Sequence, residues 1–122
     1  MEQLFYIAGP IFGKGMDLNL PEFERVARLA KLKLGCRTLI PHNIEPYGHA
    51  GKCPPGRQTE AEQHAAPCHM RADIRAMLMC DGIILLPGWQ TSQGAQLEMQ
   101  VASACGLSVY QAGHLDTLAQ IC

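Results

Sequence analysis

The chain has 122 residues, the length of one domain, and reads as a single domain over residues 1–122. Its composition, 48% hydrophobic and 17% charged, excludes a disordered, solvating chain, which could not bury enough apolar surface to offset the entropy of folding. Ten Lys and Arg against eleven Asp and Glu give a net charge of -1, so the basic footprint of a nucleic-acid polymer binder is missing. Apolar runs such as 82–87 are far too short to span a bilayer. The start Met1-Glu2-Gln3 lacks the charged, then apolar, pattern of a secretory signal. The expectation is a cytoplasmic chain with no membrane partner.

In chain order, Leu4-Phe5-Tyr6-Ile7-Ala8 is a short apolar run stopped by Gly9-Pro10, as in a buried parallel strand. From Pro21 to Leu34 the residues Phe23, Val26, Ala27, Ala30 and Leu34 recur at helical spacing, with Gly35 as the expected C-cap. Cys36 to Ile40 reads as a second strand. Residues 41–67 carry Pro46, Gly48, Gly51, Pro54, Pro55, Gly56 and Pro67 and read as one long loop. Met70, Ile74, Met77 and Leu78 mark an amphipathic helix, and Ile83 to Pro87 is the clearest strand. Ser92 caps a helix carrying Leu97, Val101 and Ala104 on one face. A strand over Leu107 to Tyr110 and a short final helix over His114 to Ile121 complete the order.

Strands alternating with helices imply an α/β fold: a three-layer, flavodoxin- or Rossmann-like parallel sheet of four to five strands with helices on both faces. Ligands of such sheets sit at the carboxyl ends of the strands, near the point where strand order reverses. That rule selects the loops at Gly9 to Asn19, from Pro41 onward, and at Pro87 to Ser92.

The strongest local feature is the run from Leu86 to Glu98, LPGWQTSQGAQLE. A helix N-terminus presents unpaired N–H groups and a positive dipole end, which favour an anion, and Ser92 adds a hydroxyl there. Helical side chains lean toward the N-terminus, so Glu98 lies over Gly94 and Ala95, where small side chains leave room for a ring. At about 1.5 Å per residue, Glu98 stands roughly 6 to 9 Å along the axis from the anion site, the reach from an anomeric carbon to a 5′-phosphate. The plainer alternative is a close-packed helix carrying one solvated Glu. Asp73 flanks the apolar stripe of its helix and Asp81 precedes a strand. As plain features these are a boundary and a turn residue; as functional ones, Asp73 joins Glu98 in the carboxylate pair that glycosidic cleavage uses. Trp89, following Gly88, is either a core plug or a wall against a ligand ring.

The first loop, with Gly9, Gly13 and Gly15, is not G-x-G-x-x-G, so a dinucleotide cofactor is not expected, and no other cofactor is implied. There is no G-x-S-x-G elbow of a serine hydrolase. His49, Cys53, His64 and Cys68 form two H-x₃-C pairs with His69 adjacent, a loose candidate zinc set that would make the chain a zinc-stabilised interaction module. The six cysteines are expected to be reduced, mostly structural thiols.

Four motifs together, Tyr6-Ile7-Ala8-Gly9-Pro10, Arg71-Ala72-Asp73, Cys80-Asp81 and Ser92-Gln93-Gly94-Ala95-Gln96-Leu97-Glu98, resemble the nucleoside 2-deoxyribosyltransferase-like superfamily over nearly the whole chain. The likeness is to a phage-type branch with a YIAGP start and an LPGW-x-x-S-x-GA-x-x-E segment. The resemblance implies a flavodoxin-like fold, a homodimer that completes the active site, and a nucleotide or nucleoside as small-molecule partner. It implies Glu98 as the nucleophile at C1′ and Tyr6 as the group that hydrogen-bonds this carboxylate and keeps it ionised. Asp73 would contact the sugar or protonate the departing base. Ser92 and the N–H groups near Gly94 would hold a 5′-phosphate, and Gly9 would let the backbone approach the ligand. Pro10, Asp81, Gly88 and Trp89 complete the expected binding set. The activity implied is N-glycoside hydrolysis of nucleoside 5′-monophosphates or deoxyribosyl transfer, with a non-catalytic nucleotide binder as the alternative.

Overall fold

The computed structural model describes residues 2–11, 18–44 and 66–121. Within them β1 (Leu4–Ala8) is followed by α1 (Leu20–Leu34) and β2 (Arg37–Leu39), then a single 3₁₀ turn at Pro41–Asn43. The chain continues through α2 (Ala66–Met77), β3 (Gly82–Leu85), a second 3₁₀ turn at Trp89–Thr91, α3 (Gln93–Ala104), β4 (Ser108–Ala112) and β5 (Leu118–Gln120). Five strands form one sheet in the order β2-β1-β3-β4-β5. The first four are parallel, with Tyr6 level with Leu39 on one side and Ile83 on the other. The architecture agrees with the flavodoxin- or Rossmann-like α/β fold expected from the sequence, and its switch point lies between β1 and β3.

The strands alternate their side chains between two cores. Phe5, Ile7 and Ile84 meet Phe23, Val26 and Ala30 of α1 on one face. Tyr6, Ala8, Ile83 and Leu85 meet Met77 of α2 and Ala95 and Ala102 of α3 on the other. Gly35 ends α1 at φ 63, donating its N–H to Lys31 O at 3.1 Å, the left-handed cap for which glycine is suited.

The structure departs from the sequence reading in two places. The final segment is not a helix: β5 runs antiparallel to β4, Tyr110 opposite Gln120. Leu115, Leu118 and Ile121 suit a helical repeat, but eight residues are too few for a helix to hold without burial. Asp116 at φ 56 turns the chain instead, and Gly113 N–H closes the turn on Thr117 O at 2.9 Å. Arg25 ties that turn to α1, donating to Asp116 Oδ1 at 2.7 Å and to Gly113 O at 3.1 Å. Secondly, of the face of α3 that carries Leu97, Val101 and Ala104, only Val101 packs against the core, partly buried. The helix buries Ala95, Glu98 and Ala102, while Leu97 is 42% exposed. Small residues let the helix axis lie close to the sheet, and that closeness draws Glu98 inward.

Among the described residues no helix is long and apolar enough to cross a membrane. Cys36, Cys68 and Cys80 are buried free thiols and Cys105 an exposed one.

Candidate active site at the carboxyl edge of the sheet

Beyond the carboxyl ends of β1 and β3 the described residues enclose a cleft of about 680 Å³, a size common for small-ligand sites. Gly9, Pro10 and Ile11, the residues that leave β1, line one side. His69, Met70 and Asp73 of α2 line a second, and Thr91 to Ala95 with Leu97 and Glu98 the third.

At the head of α3, Ser92 Oγ accepts from Ala95 N–H at 3.1 Å and Ser92 O accepts from Gln96 N–H at 2.9 Å. This is the N-cap anticipated from the sequence. Those two bonds leave the amides of Gln93 and Gly94 as first-turn donors without an intrahelical acceptor, facing the electropositive end of the helix dipole.

Glu98 is the one charged side chain among the buried polar residues described, at 5% exposure. Tyr6, fully buried beneath it, donates its phenol O–H to Glu98 Oε2 at 2.5 Å across 92 residues of chain. Burial pushes the Glu98 carboxyl up to about 8; the Tyr6 hydrogen bond pulls it down and the nearby charge of Asp73 raises it further. The phenol therefore acts in the direction the resemblance implies, but desolvation outweighs it. Burial, then the charges of Glu98 and Asp73, drives the Tyr6 pKa far above its ordinary value, so the phenol remains a donor. Asp73 is pushed up to about 7 by burial. Two carboxyl groups thus share one cleft, each held near the pH at which proton exchange is easiest.

The structure brings Gly9, Pro10, Asp73, Ser92, Gly94 and Glu98 together around the cleft, with Tyr6 directly below. Gly9 also meets a packing requirement: a Cβ there would stand 2.6 Å from Leu86, so the chain leaving β3 excludes a side chain. Over Gly94 the space expected for a ring holds the Met70 methyl, 2.9 Å from where a Cβ would sit. Three expected binding residues lie elsewhere. Asp81 belongs to the opposite edge of the sheet, where its Oδ2 accepts from Leu4 N–H at 2.8 Å and its own N–H donates to Leu4 O at 2.8 Å. Gly88, at φ 85, turns the chain outside the cleft. Trp89 packs partly buried against the core on the α2 and α3 face and does not line the cleft.

Met70 and His69 of α2 are among the lining residues outside the set expected from the sequence, with Ile11, Thr91, Gln93 and Leu97. Met70 read as one more member of a buried stripe and His69 as a neighbour of the metal set. The signal was the four-residue step from His69 to Asp73, which places both on one face of α2. Of the loose zinc set, His49, Cys53 and His64 lie outside the described residues, and Cys68 is buried at the start of α2. Among the described residues no group of three or more His, Cys, Asp or Glu is placed to hold a metal.

A mostly parallel 2-1-3-4-5 sheet with a carboxylate-bearing cleft at its switch point defines the class: an α/β protein with a Rossmann- or flavodoxin-like fold. Within it, the chain belongs to the family described as Domain of unknown function (DUF4406), which it matches over residues 3–111. That match runs from the strand before the cleft to β4 and leaves β5 outside. No curated protein matches the chain.

Proposed function

We propose that this protein cleaves the N-glycosidic bond of nucleoside 5′-monophosphates, or transfers their deoxyribosyl group, through an ester on Glu98. The observation that carries the reading is the buried Glu98 carboxyl, hydrogen-bonded to Tyr6 and sharing a cleft with Asp73. The motif likeness to the nucleoside 2-deoxyribosyltransferase-like superfamily adds its weight.

In this mechanism an ionised Glu98 oxygen bonds to C1′ as the C1′–N bond breaks, and its electron pair leaves on the base nitrogen. Asp73, whose raised pKa keeps part of it protonated at neutral pH, gives the proton that neutralises the departing base. Water then attacks C1′, Asp73 takes its proton, and the ester oxygen returns to Glu98 as carboxylate. A second base in place of water gives transfer. The 5′-phosphate would sit on the N–H groups of Gln93 and Gly94 beside Ser92. A homodimer completing this cleft is part of the same proposal.

One observation favours a second reading, a nucleotide binder without turnover. At about 8 the Glu98 pKa leaves much of the group neutral at pH 7, and among the described lining residues there is no Lys or Arg to favour its charge. The test is release of free base from a panel of ribo- and deoxynucleoside 5′-monophosphates, with Glu98→Gln beside the native chain. Release that vanishes in the variant supports catalysis. Binding without release selects the binder, and neither binding nor release removes both.

A further inference from the structure

Resting on the nucleotide reading, we propose that Met70 is the wall of the cleft against which the ligand's base lies, and that its seat on Gly94 sets how large a base fits. Two observations on opposite elements carry this. Trp89, one candidate aromatic wall in the sequence, packs partly buried against the core and is not among the residues that line the cleft. Met70, on α2, reaches across to α3 and puts its terminal methyl where a side chain on Gly94 would be, at 2.9 Å from that Cβ position. The methyl therefore depends on Gly94 having no side chain.

The chemistry suits the task. A thioether is polarizable, favours the faces and edges of aromatic rings, and adapts its three torsions to what it meets. Pro10, Ile11 and Leu97 line the same cleft and extend an apolar surface, whereas Asp73 and Glu98 supply the polar part. A planar ring that presents an apolar face and exchanges a proton at one nitrogen matches that division. Because the contact between Met70 and Gly94 is between a flexible chain end and a bare Cα, a methyl added at Gly94 displaces the Met70 methyl rather than the backbone. The displaced methyl then occupies part of the cleft.

The test uses protein labelled with ¹³C at the methionine methyls, in four forms: native, Gly94→Ala, Met70→Ala and the double variant. Circular dichroism and melting confirm that each is folded. Gly94→Ala should move the Met70 methyl resonance in the unliganded protein. An unmoved resonance overturns the inference without any nucleotide. Titration with adenosine and cytidine 5′-monophosphates and their deoxy forms should move the same methyl at saturation. Gly94→Ala should weaken purine binding threefold to tenfold more than pyrimidine binding. Met70→Ala should shift the ratio the other way, and the double variant should return it toward the native value. Purine and pyrimidine affinities that change in parallel across all four forms overturn the inference while leaving the nucleotide reading intact. A panel that binds to none of the forms, with the unliganded shift present, overturns the nucleotide reading and the base-wall role with it.

Discussion

Asp81 and Glu98 are acids at opposite edges of one sheet, and each accepts a hydrogen bond from β1. Asp81 is exposed and takes the N–H of Leu4; Glu98 is buried and takes the phenol of Tyr6. The first closes a strand end in contact with water. The second holds an ionisable group away from water, with Asp73 near enough to oppose its charge. Surroundings rather than residue type set the difference: desolvation and a neighbouring carboxylate raise the pKa of Glu98, while Asp81 ties the start of β3 to β1.

Exchange of each acid for a neutral residue sharpens this contrast, and the largest effect belongs to Glu98. Glu98→Gln keeps the shape and removes the attacking oxygen, so base release should fall by at least about a thousandfold while binding persists. Undiminished release would remove Glu98 from the nucleophile's role. Tyr6→Phe comes next. It deletes the hydrogen bond that lowers the Glu98 pKa, so the acid limb of the pH–rate profile should move to higher pH. Release at pH 7 should drop roughly tenfold to a hundredfold. An acid limb that stays in place would separate Tyr6 from the ionisation of Glu98.

Stability against pH gives a third measure. The Glu98 pKa rises from 4.5 to about 8 on folding, so between those values the folded state holds a proton that the unfolded state has lost. Its contribution is complete below pH 4.5 and is lost as pH rises through about 8, with a slope of up to about 1.4 kcal/mol per pH unit. The native Tm should therefore fall from pH 5 to pH 8, and Glu98→Gln should flatten the decline and melt higher at the alkaline end. Parallel profiles would show that Glu98 is not held protonated. The smallest effect is expected at the other edge: Asp81→Ala removes one solvent-exposed bond to Leu4 and should cost about 1 kcal/mol in denaturant unfolding, with base release unchanged. A loss of release there would break the division between the two edges.

Much of the architecture was legible because its determinants are local. A four-residue apolar run before a Gly or Pro, a glycine after an amphipathic stretch and a serine before Gln93 each act through contacts a few residues away. The parallel sheet followed from the alternation of strands and helices, whereas the order β2-β1-β3-β4-β5 is a finding of the structure. The final segment was misread because Leu115, Leu118 and Ile121 fit a helix by spacing, while the turn at Asp116 is held by Arg25 of α1, 91 residues distant. Glu98 was legible as a site residue only through its motif; its burial was not, because the expected apolar face of α3 was Leu97 and Val101 rather than Ala95 and Ala102.

By itself the sequence determined the helices, the strands and the cap that assemble an α/β sheet with a cleft at its carboxyl edge, since these depend on short-range patterning and chain connectivity. Tertiary structure alone decided how deeply Glu98 is buried, that Trp89 packs partly buried against the core beside the cleft, and that Met70 occupies the space over Gly94. Those outcomes depend on how closely α2 and α3 approach the sheet, a distance set by the packed volume of side chains far apart in the chain.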